Sequence, residues 1–159
     1  MEYEEGIPLI MMGDKVDVRR RIHQLSFHLQ YNAKKVLLID TLNAINPHDK
    51  VFKEHYDALK NVYCVRAENP YDLSARLATA SPHIEKKEIK VLLINSLNSL
   101  FVDVKPKEIE PLFNIIWLKI LELTKRHDLI TILGLLTDIN EEDRIPELLL
   151  ARGGKFISV

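Results

Sequence analysis

Five short, almost unbroken apolar runs limit how this chain can fold: PLIMM (8–12), KVLLID (35–40), VYCVRA (62–67), KVLLINS (90–96) and LITILGLLT (129–137). A sixth, KFISV, follows at 155–159. A strand with one wet face alternates apolar and polar residues; several of these runs do not alternate, so both of their faces must be covered. Strands buried on both sides belong to a parallel sheet sandwiched between helices.

The intervening segments carry the helical period. Val18, Ile22, Leu25 and Leu29 fall at i, i+4, i+7 and i+11, one face of a helix capped by Asp14 or Asp17, so that 8–40 forms a βαβ unit. Between 70 and 88, Leu73, Leu77, Ala80 and Ile84 predict a helix entered through Asn69-Pro70 and interrupted near Pro82. A third helix is expected over 107–126, with Pro106 just outside it and Pro111 in its first turn. The stretch TLNAINPHDKVFKEHYDALKN should hold a loop and a short helix at 51–60, and NEEDRIPELLLARGG a loop and a short helix ending at Gly153-Gly154. Strand and helix in alternation give an α/β fold, doubly wound in three αβα layers around a mostly parallel sheet of five to six strands. With 159 residues, one domain spanning 1–159 is expected.

Composition narrows the function classes. A net charge of −1, from 22 basic and 23 acidic side chains, provides no global field for nucleic acid, so DNA binding would need a local patch and would be weak. Cys64 is the single cysteine, which excludes an internal disulfide framework, and MEYEEG is acidic where a signal peptide is basic. A cytoplasmic protein is expected. The longest apolar stretch, IIWLKILEL, is broken by Lys119 and Glu122, so no membrane span is expected.

GDKVDVRRR (13–21) sits between the first strand and the first helix, where many α/β proteins hold a phosphate. In order and spacing, PLIMMG plus helix, KVLLIDTLNAINP, NVYCVRAENPYDLSARL, KVLLINSLNSLF, a long helix and LITILGLLTDIN resemble the core of the RecA/RadA/KaiC recombinase-like P-loop ATPases over roughly residues 7–140. In that family the second strand ends in I-D-T-E, the third reads N-I-x-V-x-R-A-x-N, the fourth is the Walker B strand and the fifth ends in a polar sensor. The resemblance implies a RecA-like fold in which the phosphate site has degenerated. Aligned on G-x-x-x-x-G-K-[ST], Gly13 matches the first glycine, but Val18 replaces the second, Arg19 the lysine and Arg20 the hydroxyl. Asp14 and Asp17 would occupy the helix N-terminus with the protein's own carboxylates, as a substitute for phosphate or as ordinary caps. Asn95 stands at the Walker B aspartate, Leu42 at the I-D-T-E glutamate and Ile139 near the sensor, so metal ligand and base are absent together.

Other chemistry is thinner. Arg19, Arg20 and Arg21 point about 100° apart and cannot all face one ligand. No metal site is expected, since His23 and His28 share no helix face and no zinc spacing occurs. Cys64, inside an apolar strand, is expected to be inert core. In LFNIIWLKILEL the apolar residues Ile115, Trp117, Leu118 and Leu121 exceed what one buried stripe needs, so either a second subunit or partner, or the segment ELLLARGGKFISV, must cover them.

The resulting expectation is a non-catalytic RecA-like protein with no cofactor. It would bind a protein partner as an adaptor in DNA repair, recombination or replication, the partner being an active RecA-family ATPase, another repair or replication protein, or a further copy of the chain. The rival is an α/β enzyme binding a nucleotide or small metabolite through Asp40, Thr41, Asn95, Ser96 and His48, where such folds place ligands. A second rival is a DNA-binding accessory using Lys34, Lys35, Lys86, Lys87 and Arg19 to Arg21.

Overall fold

Apolar residues on alternate positions of the strands sort into two cores, one on each face of a single sheet. In the computed structural model, which describes residues 6–31, 34–42 and 60–159 and the side chains of all of these except 27–31, the strands are β1 (Leu9–Gly13), β2 (Lys35–Asp40), β3 (Val62–Arg66), β4 (Ile89–Ile94), β5 (Ile130–Leu136) and β6 (Lys155–Ser158). They lie in the order β3-β2-β4-β5-β1-β6, and every neighbouring pair is parallel. The five expected runs and the sixth all form strands, so the sheet is wholly parallel. The helix expected at 51–60 lies outside the described residues.

Leu9, Met11, Val36, Leu38, Val91, Leu93 and Ile132 meet Val18, Ile22 and Leu25 of helix α1 (Lys15–Tyr31) on one face. Ile10, Leu37, Ile39, Leu92, Ile94, Leu133 and Leu135 face the other way. There they pack against α2 (Pro70–Ala78), α3 (Ala80–Lys87), α4 (Pro106–Arg126) and α5 (Ile145–Ala151), completing three layers. Each such side chain contributes about 1.5–3 kcal/mol by leaving water, which makes this double burial the main support of the fold.

Prolines set the helix boundaries, in two places otherwise than expected. The segment 70–88 is two helices broken at Thr79: Asn69 caps α2 by accepting from Asp72 N, and the chain restarts at Ala80. This restart puts Pro82 in the first turn of α3, where its missing N–H costs nothing. Pro106 opens α4 instead of lying outside it, which leaves Pro111 in the second turn and exposed. Its lost hydrogen bond there is one to a carbonyl near the solvated helix start.

Helix α4 divides the four surplus apolar residues between core and surface. Trp117 is only 4% exposed, stacked on Phe113 at 6.2 Å within the core that α5 helps to close through Leu148 and Leu149. The C-terminal segment therefore supplies the cover, and Trp117 is no surface anchor. Ile115 and Leu118 do face outward, at 48% and 64% exposure, while Leu121 is partly buried against the same core. Cys64 is likewise not core: β3 is an edge strand, and Cys64 is exposed there. Burial of the thiol's surroundings and the charge of Asp40, only partly offset by Arg66, push its pKa up to about 11, which keeps it protonated near neutrality.

Gly134 of β5 is where α1, the sheet and the chain leaving β4 converge. A Cβ there would stand 2.2 Å from the Asn95 carbonyl oxygen and 2.8 Å from Val18 Cγ1. Backbone cannot yield as a flexible side chain can, so Gly134→Ala should destabilise the protein by about 2–3 kcal/mol, read as a lower urea midpoint with unchanged m.

Candidate functional site

In the sheet order, the chain leaves β2 toward β3 on one side and leaves β4 toward β5 on the other. The carboxyl ends of β2 and β4 therefore flank the point where open α/β sheets usually hold ligands. Asp40 and Thr41 stand at the end of β2, Asn95 and Ser96 beyond β4, and Asp40, Asn95 and Ser96 are all buried.

One amide joins the two strand ends. Asn95 Nδ2 donates to Asp40 Oδ1 at 2.8 Å, while Asn95 Oδ1 accepts from Thr41 N at 2.9 Å and lies 3.0 Å from Thr41 Oγ1. Thr41 Oγ1 also lies 2.5 Å from the Ser96 carbonyl oxygen, and Asp40 Oδ1 accepts a second bond from Leu42 N at 3.1 Å. The amide donates to a carboxylate while accepting a backbone N–H, whereas an ionised carboxylate at position 95 could only accept. The strand ends thus bring Asp40, Thr41 and Asn95 together through their side chains, while Ser96 joins through its carbonyl and its hydroxyl bonds Asn98 Oδ1 at 3.4 Å and accepts from Ser99 N at 3.3 Å. His48 lies outside the described residues.

The chain beyond β4 turns through a short 3-10 segment, Asn98–Phe101, whose first residue the sequence reading missed. Asn98 Nδ2 donates to the Leu136 carbonyl at 2.7 Å and to Asp143 Oδ2 at 2.6 Å, and its Oδ1 accepts from Leu136 N at 2.9 Å. This buried amide bonds both backbone groups of Leu136, as a neighbouring strand would. It also holds Asp143, whose other oxygen accepts from Ile145 N at the start of α5. The available signal was a second asparagine in the apolar stretch LLINSLNSLF.

At β1 the expected phosphate position is occupied locally by carboxylates. Only Asp14 separates the end of β1 from the first residue of α1. Asp14 Oδ1 accepts from Asp17 N at 2.8 Å, and Asp138 Oδ2, from the loop after β5, accepts from Lys15 N at 3.2 Å. The pair at the helix start is thus Asp14 with Asp138; Asp17 lies instead beside Arg20 at 3.8 Å, on the surface. Each carboxylate at a helix N-terminus contributes about 0.3–1 kcal/mol, whereas an exposed ion pair such as Asp17–Arg20 contributes little. Val18 is fully buried, its methyls close to the glycine positions of β1 (Gly13) and β5 (Gly134). Arg19, Arg20 and Arg21 are exposed. Leu42 and Ile139, where the resemblance places a base and a sensor, both pack on the α1-side core.

Among the described residues no group of three or more His, Cys, Asp or Glu is placed to hold a metal, and no helix is long and apolar enough to cross a membrane. His23 is buried on α1, and the side chain of His28 lies outside the described residues. No protein-family model matches the chain, and none of the curated proteins matches it in sequence.

Two substitutions follow from these contacts. Asn95→Asp sets a second carboxylate against Asp40 and should cost about 2–4 kcal/mol at pH 7. The repulsion needs both groups ionised, so the deficit relative to wild type should grow as pH rises through and above the ordinary carboxylate range near ~4 and shrink below it. Urea unfolding at pH 4 and pH 7 measures the difference. Asn98→Ala should lose about 2–3 kcal/mol, with hydrogen exchange speeding at Leu136 and Ile145 before the rest of the sheet.

Proposed function

We propose that this chain is a catalytically silent RecA-like domain that works by binding a protein partner, as an adaptor in DNA repair, recombination or replication. The observation that carries the proposal is the Asn95 amide bridging Asp40 and Thr41 at the strand edge, where the ATPases that the sequence resembles hold a carboxylate for their metal. A neutral amide already engaged by its neighbours supplies no charge to a divalent cation. The β1–α1 junction supports the same reading. One residue links strand to helix, the first turn carries Asp14 and Asp138, and a triphosphate brought there would meet two negative groups. The setting in repair, recombination or replication rests on the sequence resemblance alone.

The enzyme rival needs free polar groups at the strand edge; there the Asn95 amide is engaged by Asp40 and Thr41, and the Ser96 hydroxyl by Asn98 and Ser99. The DNA-binding rival needs one basic track. Arg19 to Arg21 lie in the second turn of α1, toward the carboxyl end of β1; Lys34 and Lys35 stand at the start of β2, and Lys86 and Lys87 end α3 just before β4, with Lys35 level with Ile89. The four lysines therefore share one end of the sheet, and the three arginines lie toward the other.

The test has two arms. Calorimetry with Mg-ATP should give no saturable heat and steady-state assays no turnover; micromolar binding, or turnover lost on changing Asp40, would overturn the proposal. Cross-linking in the native cell should capture a discrete partner, and Ile115→Asp with Leu118→Asp should abolish that capture while leaving stability within about 0.5 kcal/mol, since both residues are exposed.

A further inference from the structure

At the β3 edge of the sheet the space under α2 and α3 is not filled. A half-open cleft of about 380 Å³ enters there, away from the strand-edge asparagines. Behind it lie the buried side chains of Leu37 and Ile39 of β2, Ala80 of α3 and Ile89 of β4, and Val65 of β3 is left partly exposed. Tyr63, Arg76, Thr79, His83 and Lys87 supply its polar groups, and among the described residues no carboxylate lines it. Lys87 Nζ lies 5.7 Å above the Tyr63 ring, and Arg76 Nε donates to the Arg66 carbonyl at 3.2 Å, which holds both cations beside the cleft. Among the described residues no acidic side chain forms an ion pair with either one.

An apolar wall beside two cations that form no ion pair among the described residues selects for a ligand with a hydrophobic body and an anionic head. We propose that this cleft is a binding site for a small amphipathic carboxylate, its alkyl or aryl part lying against Tyr63 and Val65 and its carboxylate meeting Arg76 and Lys87. The volume stands near the lower end of the ~300–1,000 Å³ typical of small-molecule pockets, which restricts the ligand to a short chain or a single ring system. Nothing in this site depends on the strand-edge network or on the adaptor reading.

Titration of the full chain with octanoate, and with octylammonium as the charge-reversed probe of equal length, tests it. Octanoate should bind saturably and octylammonium should not. An Arg76→Gln, Lys87→Gln double variant should weaken octanoate by about tenfold or more, with its urea midpoint unchanged because neither side chain is core. Absence of saturable octanoate binding, equal binding of octylammonium, undiminished binding by the double variant, or tighter binding of a short peptide with a C-terminal leucine would each overturn the proposal.

Discussion

A parallel sheet covered on both faces leaves its strand ends as the place where polar groups must be dealt with. Along the strands, Val36 to Ile39 and Val91 to Ile94 offer the layers nothing but hydrocarbon, and their backbone groups are consumed by the ladder. At the carboxyl edge the ladder stops while burial does not, so the last N–H and C=O groups need partners where little water reaches. Asn95 answers for the ends of β2 and β4, Asn98 for the end of β5, and Asp14 with Asp138 for the first turn of α1. Four short polar side chains thus do for this edge what a bound ligand and its waters do in many α/β proteins.

That solution is coupled across the sheet. Asn98 grips Leu136 and Asp143 together, so the end of β5 and the start of α5 are held by one side chain, and α5 in turn closes the core over Phe113 and Trp117. On the opposite face, the absent side chain of Gly134 lets the Asn95 backbone and Val18 approach β5, and Leu97 N donates to the Gly134 carbonyl at 2.8 Å. The strand-edge amides and the packing of α1 are therefore two views of one close approach. A larger residue at 134 would disturb both.

Much of the fold was legible because it rests on apolar pattern. The unbroken runs became strands within one or two residues of their expected bounds, and the Val18, Ile22, Leu25 stripe became the buried face of α1. What escaped was decided by three-dimensional neighbours. Asn98 and Asp138 sit in loops whose partners lie 38 and 123 residues away in sequence, and no local pattern marks such pairings. Cys64 carries a core-like sequence context but lies on an edge strand, and strand order is not written in any one strand. Pro82 was recognised as a breaker, yet the break falls at Thr79 because a proline is tolerated in a first turn and the helix restarts early enough to put it there.

The asparagine at 95 carries the functional argument, because it can be reasoned about without reference to any relative. A buried aspartate beside Asp40 would put two negative groups within hydrogen-bond distance in a region of low polarisability, tolerable only if a cation or a shared proton stood between them. An edge built to hold magnesium can accept that tension, since the ion resolves it. An edge with an amide beside the carboxylate carries no such tension, because Asn95 donates to Asp40 at 2.8 Å. A neutral amide at this place removes the repulsion and adds no charge to hold a divalent cation.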